Sequence, residues 1–324
     1  MSRSLALGLA LAALTLVAAD ARQAPRPLFD FRVSFWNSLH HELHAVARPR
    51  PAPATASSEE MPEAARTGWS RGVEAYRPLA RRSLLFDEGL AALGAVLSPL
   101  DDDSSLEKVL IAPAVAAALE AAAPAYRLAG WPSHQREAQM FIEQVTPLVE
   151  RHGAAIAAPL AASYGARWEG LVPVDVVRDA GPPGNAHTTT RPRAHVTIAA
   201  TDPRHQGLAA LEVLFHEASH GWDATVEDEL TRAARSEGRV IPRDLWHAVL
   251  FFTAGELTRR TLAAAGTDYV PYAAAQGMST GIYAEVWPAV VAAWTPWLDG
   301  RGTRAGAAVE LVRAVGVLPP GPGR

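Results

Sequence analysis

Cysteine is absent from the 324 residues, which excludes disulfides, thiolate metal sites and cysteine nucleophiles. A basic excess is also missing. The 30 Lys and Arg stand against 34 Asp and Glu, a formal charge of −4, so nothing is left over to neutralise a phosphate backbone and nucleic acid is not expected as a partner. A membrane-length apolar run is lacking as well. The stretch from Leu5 to Ala19 is shorter than the roughly 20 residues that a span requires. It follows Arg3 and precedes the small residues Ala19 and Ala21, the pattern of a secretory signal peptide cleaved near Ala21. With no cysteine to carry a lipid, the expectation is an exported protein, periplasmic or extracellular, without stable membrane association after cleavage.

The hydrophobic fraction of 49% and the length suffice for one large domain or two modest ones. After the signal segment (1–21), apolar residues from Val33 to Val46 recur at helical spacing. A run rich in Pro, Ala and Ser follows, so residues 22–61 read as a helix plus linker. Residues 22–66 could equally serve as a removable pro-segment. Residues 62–166 read as four or five helices broken at Pro113, Pro124 and Pro132. In the region 167–318, "LVPVDVVRDA" and "RAHVTIAA" are β-like and are expected to pair antiparallel across the long loop "GPPGNAHTTTRP". Helices are then expected at about 206–221, 225–236, 243–264, 283–298 and 303–315. The tail 319–324 reads as disordered. The fold class is therefore α+β and mainly α, with a small antiparallel sheet just before one notable helix.

That helix carries "VLFHEASHGW", Val213 to Trp222. An α-helix advances about 100° per residue, so His216 and His220 share a face one turn apart. Two neutral imidazoles at this spacing can hold one Zn²⁺ between them, and Glu217 is placed to take a proton from water at an open metal position. From Val213 to Gly221 the polar side chains besides Ser219 are the three that this chemistry uses. A core helix gains nothing from burying two histidines and a carboxylate without partners. The stretch resembles the extended signature of the zincin metallopeptidases: an apolar pair (Val213, Leu214), HExxH with uncharged gaps (Ala218, Ser219), then Gly221 and Trp222. The resemblance covers about a third of the chain and none of its N-terminal helices. It implies a zincin-like catalytic region, with "AHVTIAA" as an edge strand that lays out an extended peptide.

A catalytic zinc usually keeps three protein ligands. The metzincin subclass would need Gly and His where this chain has Asp223 and Val226, and is excluded. The aspartate-ligand subclass is matched only at the start of "GTDYV", with Val270 in place of the aspartate, which leaves Asp268 a weak candidate. Glu256 is favoured, a lone carboxylate after the uncharged stretch Leu245–Gly255 and 36 positions beyond His220. Such a His-His-Glu set is similar to the gluzincin arrangement. The competing reading pairs Glu256 with Arg259 or Arg260 as an ordinary helix ion pair. Glu227 and Glu229 sit in a charged run typical of a solvated face.

His247 lies nine residues before Glu256, half a turn out of phase, so one straight helix cannot aim both at one metal. It reads as a core histidine or as a donor to the developing oxyanion. Tyr272, after Pro271, is the first choice for that donor, ahead of Tyr269 and Tyr283. "LHHELH" places His40 and His44 at i and i+4, a possible second metal pair but more simply a polar helix face. The expected function is an exported zinc metallopeptidase with one Zn²⁺ per chain, a peptide or protein substrate and Glu217 as general base. A non-peptidase zinc amide or ester hydrolase and an inactive secreted zinc-binding module are the alternatives.

Overall fold

A computed structural model describes residues 27–49, 61–85, 87–182, 184–190 and 193–318. The expected signal peptide, most of the Pro/Ala/Ser-rich linker and the C-terminal tail lie outside the described residues. No helix among them is long and apolar enough to cross a membrane.

The fold is mainly α with one small sheet. Strand β1 (Phe29–Arg32) leads into α1 (Phe35–Ala47), whose first turn is capped by Ser34 accepting the Asn37 N–H. Helices α2 (Glu63–Tyr76), α3 (Glu88–Leu97) and α4 (Pro113–Ala129) follow, then the 33-residue α5 (Trp131–Ser163). Pro113 and Pro132 stand in first turns, where the missing N–H costs nothing. Pro124 does not break the chain as expected but lies inside α4.

Strands β2 (Val172–Val177), β3 (Ala186–Thr189) and β4 (His195–Ala199) complete the sheet in the order β1-β2-β4-β3. Two expectations are corrected here. The two Val-rich runs pair parallel, with Val174 opposite Val196, because the linking loop contains β3 and carries the chain across to the far side of β4. The sheet is therefore mixed, and β4 is an interior strand. The free edge next to β4 belongs to β3, which pairs antiparallel with it. The pattern of β4 gives the reason: Val196 to Ala199 are all buried, as an interior strand requires.

The C-terminal part is helical: α6 (Leu208–Ser219), a 3-10 turn at His220–Trp222, α7 (Asp223–Ser236), α8 (Leu245–Ala264), the short α9 (Tyr272–Ala275), α10 (Trp287–Leu298) and α11 (Arg304–Val315). Two cores form. One joins α1 to α4 around Phe35, Leu39, Leu43, Tyr76 and Tyr126. The other joins the sheet, α5, α6, α8 and the C-terminal helices around Phe215, Leu214, Ile198, Leu250 and Trp294. Helix α5 and Phe29 of β1 thus share the core that surrounds the HExxH helix.

Helix α1 carries the His-rich polar face that its spacing suggests, but that face is not solvated. It is buried on nearly every side, histidines included. One polar atom of each of Asn37, His40, His41 and His44 has an internal partner, while Asn37 Oδ1, His40 Nε2 and His44 Nδ1 are buried without one. Asn37 Nδ2 donates to Asp175 Oδ2 at 2.8 Å. His40 Nδ1 lies 3.1 Å from the Tyr76 hydroxyl, His41 Nδ1 3.1 Å from the Asp179 carbonyl, and His44 Nε2 3.0 Å from the Arg82 carbonyl.

Candidate metal centre

Helix α6 begins after Gly207, whose φ of 56° lies in the left-handed region that a side chain resists. Every residue from Ala210 to Ser219 is buried, so the HExxH motif is enclosed up to its last member, His220, which is half-buried. The regular helix stops at Ser219, and His220 opens the 3-10 turn. The two imidazoles remain neighbours, 5.1 Å between ring centroids and edge to face.

The third member comes from the first turn of α8. His247 Nε2 lies 3.3 Å from His216 Nε2, and its ring is 5.1 Å from that of His220. One nitrogen from each of His216, His220 and His247 falls within 4.8 Å of the other two, the one such set of ligand atoms among the described residues. Two nitrogens at the usual zinc distance in a tetrahedron stand about 3.3 Å apart, so the His216–His247 spacing suits a shared metal. Burial, with His220 and then His247 adding repulsion, holds His216 well below the ordinary imidazole value. Burial and then His220 bring His247 down to about 3. Both rings are accordingly neutral at neutral pH, with lone pairs to offer. The donor set fits a zinc ion.

The surroundings fix the rings. Phe251 lies face to face with His216 at 3.7 Å and 15°. The Tyr283 hydroxyl is 3.1 Å from His247 Nδ1, which leaves Nε2 to face the cluster. Asp223 Oδ2 approaches His220 Nδ1 at 3.7 Å. Trp246 packs edge-on against His220 at 5.7 Å.

Glu217 is buried beside the cluster. Its Oε2 lies 2.8 Å from the Thr188 hydroxyl, which is also 2.9 Å from the Glu217 carbonyl. Burial raises its proton affinity above that of an ordinary carboxylate, while His220 and Thr188 work the other way. Thr188 belongs to β3, so the motif helix is tied to the edge strand at the residue expected to act as base.

Glu256 is not part of this cluster. Its carboxylate accepts two bonds from Arg259, at 2.8 and 2.7 Å, and one from Arg260 at 2.7 Å. Burial opposes ionisation, but the arginines prevail and hold it below the usual carboxylate range. The helix phase explains the exchange. Nine residues turn α8 through about 900°, so with His247 facing α6, Glu256 faces away. The place beside His216 and His220 expected for Glu256 is thus occupied by His247, a residue singled out for another role.

No family model, curated protein or solved structure matches this chain. The assignment therefore rests on geometry.

The remaining candidates disperse. Tyr272 keeps its hydroxyl 3.4 Å from His205 Nε2, and its proton affinity is raised first by burial, with Glu217 contributing. Asp268 and Glu227 are exposed. Glu229 is engaged by Arg304 at 2.6 Å. Two residues near the centre were not foreseen. Thr188 left no signal in a loop-like stretch. Glu212 did leave one, as an acid inside an apolar run one turn before His216.

Proposed function

We propose that the protein is an exported zinc-dependent hydrolase of peptide bonds, in which His216, His220 and His247 hold the metal and Glu217 is the general base. The observation that carries this reading is the convergence of three imidazole nitrogens beside a buried carboxylate at the i+1 position of the first histidine. Zinc, when bound, polarises a carbonyl and makes water acidic at neutral pH. Glu217 takes the proton of the attacking water and returns it to the leaving nitrogen. Thr188 orients that carboxylate. Tyr272, whose hydroxyl feels the charge of Glu217, is the donor assigned to the developing oxyanion.

The peptide substrate is supported by β3. It is the edge strand beside Glu217, and Ala186, Thr188 and Thr189 are half-buried instead of sealed, so an extended chain can add alongside. Export rests on residues 1–21 alone.

The test is metal content of purified protein beside three variants. About one zinc per chain is expected, lost in His216→Ala and His247→Ala and kept in Glu256→Ala. A wild type that takes up no zinc would end the enzyme reading. Zinc retained by His247→Ala but lost by Glu256→Ala would restore the His-His-Glu set. Cleavage of a peptide library then separates a peptidase from other zinc hydrolases, and Glu217→Gln should bind zinc without turnover.

A further inference from the structure

Glu212 lies four residues before His216, on the same face of α6, and its side chain is fully buried. Among the described residues no ion pair reaches it. A buried acid without a cation is costly, and burial pushes this one up to about 7. Its Oε2 accepts a long-range bond from the backbone N–H of Tyr272 at 2.9 Å, across 60 residues of sequence, and the Tyr269 hydroxyl is its other polar neighbour.

The neighbouring helix is shaped for this contact. A Cβ on Gly255 of α8 would stand 2.9 Å from Glu212 Oε1 and 2.9 Å from the Pro271 Cβ. Those distances are closer than side-chain carbons tolerate, so only glycine lets the acid and the Pro271–Tyr272 turn meet against α8. The segment held in this way continues through α9 and a series of turns to Tyr283, whose hydroxyl contacts His247 Nδ1 at 3.1 Å. Near its start the Tyr272 ring lies parallel to Phe251 at 6.3 Å, and Phe251 in turn faces His216. One segment therefore touches the environment of two of the three histidines. It is fastened at Tyr272 to the helix that carries the first.

We propose that Glu212 is a positioning residue for the metal centre: it anchors the segment 271–283 to α6, so that Tyr283 holds His247 with Nε2 turned toward His216. The proposal rests on the reading of His216, His220 and His247 as metal ligands, and on neither the substrate nor the reaction.

The experiment is chelator competition with zinc, which yields a dissociation constant without any assay of turnover. Removing a hydrogen-bond partner of a metal-holding histidine weakens binding about 10- to 100-fold, and Tyr283→Phe should fall in that range. Glu212→Ala should weaken it about tenfold, and Glu212→Gln, which keeps a carbonyl acceptor for the Tyr272 N–H, should stay within about twofold of wild type. Because Glu212 acts through Tyr283, the double variant Glu212→Ala/Tyr283→Phe should bind no more weakly than Tyr283→Phe alone. Gly255→Ala disturbs the same contact from α8 and should reproduce the loss, which keeps the test decisive if Glu212→Ala does not fold. Wild-type affinity in Glu212→Ala or in Gly255→Ala, losses that multiply in the double variant, or a glutamine no better than alanine would each overturn the proposal. A wild type that binds no zinc removes the metal-centre reading itself, and this assignment with it. Zinc binding that ignores Glu212 leaves that reading standing and rejects this one.

Discussion

On α8, a histidine that faces the HExxH helix stands nine positions before a glutamate that faces two arginines. Charge alone cannot tell which of the two serves a metal, since a half-buried carboxylate is satisfied equally by guanidinium groups. Helix phase decides it, given which face of α8 meets α6. Glu256→Ala is accordingly expected to leave zinc stoichiometry unchanged and to lower stability, measured by denaturant titration. The same scale sets the role of Thr188. Its hydroxyl is the bond that aims the Glu217 carboxylate. Hydrogen bonds to charged groups contribute about 1.5–3 kcal/mol, and about 1.4 kcal/mol is tenfold in rate, so Thr188→Val should lower kcat/KM about tenfold or more with zinc still bound. Wild-type kcat/KM in that variant would remove Thr188 from the site. Tyr272→Phe, by contrast, should lower kcat and leave KM and zinc content alone, because an oxyanion donor acts in the transition state.

Among the elements, the helices of the C-terminal half were legible because their apolar spacing and their breakers agree. Expected bounds of about 243–264 and 303–315 meet observed ones of Leu245–Ala264 and Arg304–Val315. The HExxH trio of His216, Glu217 and His220 was legible for the same local reason, since all three lie within a turn and a half. What failed was non-local. Strand direction in β2 and β4 depends on where β3 runs, and a four-residue strand in a loop rich in Gly, Pro and Thr carries little pattern. Helix α1 has the polar histidine face that its spacing suggests, but what that face is buried against, Tyr76, Asp179 and Arg82, is equally non-local.

That burial has a consequence in acid. Burial, with repulsion from His44 and His187, takes His40 down to about 3. Burial takes His187 to about 4, and His41 and His44 are lowered mainly for the same reason. These folded values lie below the unfolded value of about 6.5, so below pH 6.5 the unfolded chain binds protons that the folded chain refuses. Each such histidine contributes a fall of up to about 1.4 kcal/mol per pH unit. Glu212 works in the opposite sense, because its folded value is raised to about 7 and the folded chain is the one that binds its proton between pH 4.5 and 7. Glu217 is raised as well, but two acids do not offset these four histidines together with His134 and His205, which burial takes to about 3 and about 4. Stability of the zinc-free protein should therefore drop steeply between pH 6.5 and 4, with His187→Gln reducing the slope in urea titrations at several pH values. A slope unchanged by that substitution would mean that these rings are not withheld from protons.

For the whole molecule, the question is whether the N-terminal part can be removed, as a pro-segment reading of residues 22–66 would require. The sheet argues against it. Strand β1 pairs in parallel with β2, Phe29 packs edge to face on Phe215 of the HExxH helix at 5.3 Å, and Phe35, Trp36, Leu39 and Leu43 of α1 are buried in the helical core. Burying a large apolar side chain stabilises by about 1.5–3 kcal/mol, so these five side chains together contribute roughly 7–15 kcal/mol. A domain is typically stable by only about 5–15 kcal/mol in all, so loss of β1 and α1 consumes the whole margin. Asn37 would also leave Asp175 with one donor fewer between the two cores. A chain cut after residue 48 is therefore expected to fail to fold, whereas one beginning at residue 22 should unfold cooperatively and bind zinc. Mass spectrometry of the protein isolated from the cells and medium that produce it gives the independent reading. If the zinc-bound form starts near residue 22, β1 and α1 are part of the working molecule. A zinc-bound form starting near residue 67 would mean that the sheet and the HExxH helix hold together without them.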